Sequence, residues 1–101
     1  MGRFGSSGNI AIKFMKNDLG EARVGVVVGL KFSKKSIERN QVKRMVRDIV
    51  HGELKSLQKG WDIVIMARRK EEEKIKSMDF KKNVKEVLER EGLILNKKTA
   101  K

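Results

Sequence analysis

The sequence has no cysteine, a single histidine and few aromatic residues, and each shortage excludes a class of structure or chemistry. Without cysteine the chain forms neither disulfides nor thiolate metal sites, and we expect a reducing, cytoplasmic location. The longest apolar runs are only a few residues, which is too short to span a membrane. The amino-terminal residues contain no apolar segment of the kind that marks a secretory signal.

Groups that would make the polypeptide itself a nuclease are also scarce. Protein nucleases generally use clustered carboxylates that bind metal ions, or a pair of acid/base side chains. His51 is the only histidine, and a lone histidine is more often a structural or phosphate-contacting residue than a catalyst. The carboxylates are scattered apart from the glutamates at 71–73, which we interpret as a solvated loop, with cation binding as the alternative. We therefore assign no catalytic or metal-ligating residue to the chain.

Positive charge is what the chain has in excess. Its 101 residues, enough for one domain, carry a formal net charge of +12. Within residues 31–57, eight lysines and arginines outnumber three acidic residues, a local excess of +5. Such self-repulsion weakens a compact state unless a polyanion neutralises it. We therefore predict a nucleic-acid partner. A membrane surface is the weaker alternative, because residues 36–57 have no aromatic side chain, which interfacial helices commonly use.

Three segments have the composition of β-strands. In residues 9–15, Ile10, Ile12 and Phe14 recur at every second position and are predicted to share one face. Residues 22–30 are rich in valine and form the second predicted strand. Residues 61–67 are an almost unbroken apolar run, which predicts a central strand covered on both faces.

Two glycines, Gly25 and Gly29, lie on one face of the second predicted strand and leave that face without bulky side chains. Two interpretations are equally open, because strand glycine has both uses. Either another backbone, such as that of a nucleic acid, approaches this face, or the glycines mark a bulge or close packing under a helix.

The stretch between the second and third strands has the spacing of an amphipathic helix. Ser36 is its predicted N-cap, and Lys59-Gly60 is expected to end it. The apolar side consists of Val42, Met45, Val46, Ile49, Val50, Leu54 and Leu57. At about 100° per residue, an adjoining arc carries what we call the cationic stripe, which consists of Asn40, Lys43, Arg44 and Arg47. Arg39 lies one turn before Lys43.

The cationic stripe is either a nucleic-acid contact or an ordinary solvated helix face. Asparagine together with arginine favours the first interpretation, because these side chains suit hydrogen bonds to phosphates and base edges.

A second helix is predicted near the carboxyl end, capped by Ser77 or Asp79 and ended by Gly92. Its apolar stripe is Phe80, Val84, Val87 and Leu88. Between it and the third strand, residues 71–76 are expected to form a polar excursion with at most one helical turn. Residues 9–95 are thus predicted to form a single RNA-binding domain, between a flexible Gly/Ser-rich segment at 1–8 and a disordered basic tail at 96–101.

The run from Lys31 to Arg47, KFSKKSIERNQVKRMVR, resembles the signature of the bacterial ribonuclease P protein component family. In that family a strand ends in a lysine-rich segment, and a helix opens on a motif of the type Arg-Asn-Arg-x-Lys-Arg-x-x-Arg. The chain departs from this motif at Gln41, where the family usually has arginine or lysine. It matches the motif at Arg39, Asn40, Lys43, Arg44 and Arg47.

The resemblance implies a two-layer α/β sandwich of the α+β type, with a small mixed sheet of about four strands and helices mainly on one face. It also implies a left-handed crossover into the strand at residues 61–67. The residues alone give the order β-β-α-β-α and, by the usual rule, favour a right-handed crossover. Family members usually begin with a further helix that carries a Phe-containing motif, and the chain is expected to lack this helix.

The function that the resemblance implies is that of the protein subunit of ribonuclease P, a ribonucleoprotein endoribonuclease that removes the 5′ leader of precursor tRNA. In that family the RNA subunit carries out the hydrolysis and binds most of the Mg²⁺. The partners of the chain would be the catalytic RNA and precursor tRNA, and no protein oligomer is required. The alternative is a structural RNA-binding protein of the ribosomal-protein type, with no role in cleavage.

The resemblance also assigns contacts to individual residues. Arg39 and the cationic stripe would bind the catalytic RNA, and Lys31, Lys34 and Lys35 would add phosphate contacts. Lys13 and Phe14 would contact the leader. For Phe14 the alternative is a place in the core, because phenylalanine is mostly buried.

Overall fold

The computed structural model describes residues 2–53, 56–69 and 79–94. Four strands form one open, mixed sheet in the order β1-β2-β4-β3, and two helices pack on it. The elements are β1 Arg3–Ser7, β2 Ile10–Lys16, β3 Arg23–Val27, α1 Ser36–Gly52, β4 Trp61–Ala67 and α2 Phe80–Arg90. The predicted two-layer α+β fold with a sheet of about four strands is confirmed. None of the helices in the described part of the chain is long and apolar enough to cross a membrane.

Strand β1 occupies most of the segment that was predicted to be flexible, so that prediction is wrong for residues 3–7. β1 pairs antiparallel with β2 through a two-residue turn, in which Gly8 adopts a positive φ of 54°. The side chain of Asn83 on α2 donates a hydrogen bond to Asn9 Oδ1 (2.7 Å), and Arg90 donates to the Ser6 carbonyl. The glycines and serines suggested a free segment, but ladder hydrogen bonds and contacts with α2 hold it in place.

The two central strands, β2 and β4, pair antiparallel along their whole length. Ile10, Ile12 and Phe14 are buried together, as their alternation predicted. β4 has the predicted bounds and the predicted central position. It is covered on one face only, however, because Val64 is 37% exposed while Ile63 and Ile65 are buried. The prediction that both faces of this strand are covered, which was based on the apolar run, is therefore wrong.

Strand β3 runs parallel to β4 and ends at Val27, three residues before its predicted end. The chain then turns, with the Phe32 N–H donating to the Gly29 carbonyl (3.0 Å). A Cβ atom added at Gly25 or Gly29 would meet nothing within 4 Å, so neither glycine serves close packing under a helix.

Helix α1 begins with Ser36 as its first residue, and Lys35 is the N-cap, so the predicted cap at Ser36 is wrong by one position. The helix ends at Gly52, well before the predicted end at Lys59-Gly60. Gly60 instead adopts a φ of 86° in the turn that precedes β4, where its N–H donates to the Glu21 carbonyl (3.2 Å). Leu57 is buried and forms a bridge with Ile94.

Helix α2 has the predicted cap, apolar stripe and end. The Asp79 carboxylate accepts a hydrogen bond from the Lys82 N–H (3.0 Å), and Gly92 follows the helix with a φ of 75°. The four predicted apolar residues are buried against α1 and the sheet. The alternative cap Ser77, the polar excursion at 71–76, the glutamates at 71–73, Leu54 and the tail at 96–101 lie outside the described residues.

Candidate nucleic-acid interface

The loop between β3 and α1 is fastened to the first turn of the helix by side-chain hydrogen bonds. Ser33 is buried, and its Oγ donates to Glu38 Oε1 (2.5 Å) while it accepts from the Lys35 N–H (3.1 Å). Arg39 Nη1 donates to the Ser33 carbonyl (2.9 Å). The lysines of this loop are therefore presented by a fixed backbone.

The pKa of the Glu38 carboxyl lies below its ordinary value, chiefly because the Ser33 hydroxyl donates to the charged form; Arg69 and Lys35 favour that form further. Glu38 is thus an anion within a cationic region. It organises the loop and the helix start.

The cationic stripe lies on the exposed side of α1. Its four members are all exposed, whereas Val42, Val46 and Val50 on the adjoining arc point into the core. Arg39 differs from the stripe, because it is only partly exposed and its guanidinium holds the loop at Ser33. Helical periodicity thus correctly predicted that four of the five motif side chains are exposed to solvent. The fifth, Arg39, instead donates a hydrogen bond to the backbone of the preceding loop.

Lys31, Lys34 and Lys35 are exposed on the loop before α1. Arg69, which the sequence reasoning did not assign to this surface, lines the same pocket as Lys31 and Lys34. The position of Arg69 could have been inferred from the sequence, because the carboxyl ends of neighbouring parallel strands lie at the same edge of a sheet. That inference required knowing that β3 and β4 are parallel neighbours.

His51 is exposed in the last turn of α1. Among the described residues, no group of three or more histidine, aspartate or glutamate side chains lies close enough together to hold a metal ion.

The face of the sheet that the helices leave uncovered has a partly apolar surface, which we call the open face. Phe4 on β1 is 66% exposed there, and its cross-strand partner is Lys13, whose Nζ lies 5.6 Å from the centre of the ring. Phe4, Gly5, Ser6, Ala11, Met66 and Arg68 line a pocket of about 430 Å³ on this side.

Phe14 has the opposite orientation. It is 1% exposed, and its ring packs edge-on against Trp61 at 5.5 Å. The assignment of Phe14 as a leader contact is therefore wrong for this structure, and its alternative as a core residue holds. Lys13 is exposed on the open face, as a contact residue requires. Phe4 was missed because its segment was taken to be flexible, although Gly8-Asn9 is a recognised hairpin signal.

An ion-pair network crosses the same face near the start of β4. Asp62 accepts two hydrogen bonds from Arg23 (2.8 and 2.6 Å) and one from Asn17 (2.7 Å). The Arg23 and Asn17 hydrogen bonds lower the pKa of the Asp62 carboxyl to about 2. The network ties the turn after β2 to β3 and β4.

Several known proteins are similar to this chain in sequence and in fold. A family model described as Ribonuclease P matches residues 2–100. The chain is 41% identical over 69 residues to the ribonuclease P protein component of Thermotoga petrophila, covering 68% of this chain and 58% of that one. It is 44% identical over 62 residues to that of Stutzerimonas stutzeri, covering 60% and 46%. The chain spans about half the length of the curated relatives it matches.

Solved structures resemble the chain over a larger share of their length. The RNase P protein from Thermotoga maritima has a TM-score of 0.72 at 35% identity, covering 88% of this chain and 79% of that one. The RNase P protein of Staphylococcus aureus has a TM-score of 0.77, covering 93% and 84%; at 19% identity this likeness concerns the fold alone.

Proposed function

Because the chain belongs to the ribonuclease P protein family, we propose that it is a protein subunit of ribonuclease P and binds the catalytic RNA of that ribonucleoprotein. The observation that carries the proposal is the cationic stripe: four motif side chains, all exposed along one side of α1, on a helix whose other side is buried. Phosphate contacts from such a surface supply affinity and fix orientation, without requiring the protein to read the sequence.

The residues of this surface have different roles in the proposal. Lys43, Arg44 and Arg47 contact phosphates, and Asn40 donates to a phosphate or a base edge. Lys31, Lys34 and Lys35 extend the contact along the loop. Arg39 acts through its hydrogen bond to the Ser33 carbonyl, which keeps that loop against the helix.

The second part of the proposal concerns the 5′ leader of precursor tRNA. The open face offers an exposed aromatic ring beside a lysine, Phe4 with Lys13. Base–aromatic stacking is worth about 1–3 kcal/mol per base, and a neighbouring cation attracts the backbone. Phe4 thus replaces Phe14 as the proposed aromatic contact, and Lys13 is kept.

The third part concerns the chemistry. The RNA subunit carries out the hydrolysis and binds most of the Mg²⁺, while the protein neutralises phosphates and positions the substrate. Two features support this division: His51 is the one histidine of the sequence, and it lies exposed at the end of α1, while the motif cations are exposed along the helix. The protein is proposed to act in the cytoplasm, and its activity requires no protein oligomer.

Reconstitution with a bacterial ribonuclease P RNA tests the proposal. We expect the chain to raise the rate of leader cleavage from precursor tRNA at low magnesium, where the RNA alone is weakly active. His51→Ala should leave maximal cleavage within about tenfold, because a positioned acid/base group is worth about 10²–10⁴. No stimulation by the folded chain would favour the alternative of a structural RNA-binding protein. A thousandfold loss in His51→Ala would refute catalysis by the RNA alone.

A further inference from the structure

A pocket opens at the edge of the sheet where the parallel strands β3 and β4 have their carboxyl ends. It has a volume of about 720 Å³ and is lined by Leu30, Lys31, Phe32, Ser33, Lys34 and Arg69. Half of these residues are cations, and they come from two segments that are far apart in the sequence. Ligands commonly bind outside the carboxyl ends of parallel strands. We call this the β3–β4 pocket.

Arg69 is held in a defined position at this pocket. Its guanidinium carbon lies 5.3 Å from the centre of the buried Phe32 ring. Its Nη1 lies 3.7 Å from Glu38 Oε1, the oxygen that the Ser33 hydroxyl also contacts. Because the planar head is already oriented by these contacts, a ligand that it binds would cost less side-chain entropy than one held by a free side chain.

We propose that the β3–β4 pocket is a phosphate subsite of the RNA interface, in which Arg69, Lys31 and Lys34 bind a backbone phosphate group. The proposal rests on the proposed function, since it assumes that the partner is RNA. A guanidinium fork can donate to two phosphate oxygens at once, and the two lysines add point charges. Exposed Leu30 forms an apolar rim beside them.

Continuity with the motif helix favours a polymer over a free anion. Ser33 belongs to the wall of the pocket, and its carbonyl accepts the hydrogen bond from Arg39. The pocket therefore adjoins the start of α1, where the motif residues begin. An RNA strand that follows the cationic stripe toward the start of the helix would meet the pocket next, and Arg69 would extend the contact to the end of β4.

The salt dependence of RNA binding tests this assignment. The full chain and the variants Arg69→Gln and Arg69→Lys are titrated with ribonuclease P RNA over a series of salt concentrations. Loss of one phosphate contact should lower the slope of log K against log salt by about 0.7–0.9. We expect this decrease for Arg69→Gln, which keeps part of the stem over Phe32, and a nearly normal slope for Arg69→Lys, which keeps the charge.

Lys59→Ala is the matched control. It removes one positive charge from an exposed residue just before β4, at the other end of a strand that is on the order of 20 Å long at about 3.3 Å per residue. We expect its slope to equal that of the unmodified chain. A drop as large as that of Arg69→Gln would show that the slope reports total charge, which would overturn the assignment.

Three other results would also overturn it. If Arg69→Gln lowers the melting temperature but leaves the slope unchanged, Arg69 is only a structural partner of Phe32 and Glu38. If inorganic phosphate at constant ionic strength binds the unmodified chain but not Arg69→Gln, while Arg69→Gln leaves the slope for RNA unchanged, the pocket binds a free anion and not RNA. If Lys43→Ala lowers the slope and Arg69→Gln does not, the pocket assignment fails while the proposed function stands. If neither Lys43→Ala nor Arg69→Gln changes the slope, the result counts against the proposed function as well as the pocket assignment.

Discussion

Phe4 and Phe14 lie on neighbouring strands but on opposite faces of the sheet, and so they are expected to respond differently to truncation. Phe14→Ala should lower the free energy of unfolding by about 3–5 kcal/mol, because it empties a buried site. Phe4→Ala should change it by no more than about 0.5 kcal/mol, as is usual for an exposed position. Denaturant unfolding of the two variants measures both values. Similar losses for both would show that β1 does not present Phe4 to solvent.

The same pair tests the leader assignment. In the holoenzyme, Phe4→Ala should weaken the preference for precursor over mature tRNA by roughly 5- to 150-fold, corresponding to the loss of about 1–3 kcal/mol of stacking. The affinities of both tRNAs for the variant and unmodified holoenzymes give this ratio. An unchanged preference would remove Phe4 from the leader site.

Asp62 gives a pH prediction with a definite sign. Its pKa in the folded protein is about 2, below the ordinary value of 3.8 for this carboxyl, because hydrogen bonds from Arg23 and Asn17 stabilise the carboxylate. The carboxylate therefore stabilises the fold fully above about pH 4, and this contribution disappears as the pH falls through about 2. Thermal melts between pH 6 and pH 2 should show the unmodified chain more stable than Asp62→Asn at pH 6, with a difference that shrinks steadily below about pH 4 as the pH approaches 2. A difference that does not depend on pH would refute this role. Asp18→Asn, in the nearby turn, is the control.

Individual side chains could be placed from the sequence where helical periodicity fixed their direction. The exposed side of Lys43 and Arg47 and the buried side of Val46 follow from 3.6 residues per turn. Phe4 and Arg69 could not be placed in this way, because their positions depend on which strands pair and in which register. Phe14 illustrates a further limit, since alternation assigned it to a face but did not say which face the helices cover.

Strand β4 contributes Ile63, Ile65 and Ala67 to the hydrophobic core. Ile65 is buried between the sheet and the helices, and its neighbour Val64 points to the open face. Ile65→Ala should lower the free energy of unfolding by about 2–5 kcal/mol. Val64→Ala should cost clearly less, since Val64 is exposed and fewer atoms are removed. The two variants differ by one position, so equal losses in denaturant unfolding would contradict the assignment of a covered and an open face.

Elements with a regular spacing of apolar residues and a clear terminating residue were predicted well. Elements stabilised by contacts with residues distant in the sequence were not. α2 was predicted to within a turn, because Asp79, the apolar stripe and Gly92 agree with one another. α1 was predicted too long, because the apolar spacing continues to Leu57, although the chain leaves the helix at Gly52 and packs Leu57 against Ile94. β1 was missed because only its pairing with β2 and its contacts with α2 hold it.

The net charge of +12 links the stability of the whole chain to its RNA partner. RNA that binds only the folded chain should stabilise it by about 2.7 kcal/mol at a free concentration of 100 Kd. The melting temperature should therefore rise when ribonuclease P RNA is added at low salt, and the rise should shrink as salt is increased. Scanning calorimetry with and without RNA measures it. A rise that is insensitive to salt would show that electrostatic contacts do not dominate binding.

The cationic stripe on α1 is proposed to bind the catalytic RNA, and the salt dependence of RNA binding by Lys43→Ala measures whether it does. Lys16→Ala, which removes an equal charge from an exposed position on β2, is the control. Equilibrium binding to ribonuclease P RNA over a range of salt concentrations gives one slope for each protein. We expect the slope for Lys43→Ala to fall by about 0.7–0.9 while that for Lys16→Ala stays at the unmodified value. An unchanged slope for a folded Lys43→Ala would contradict it.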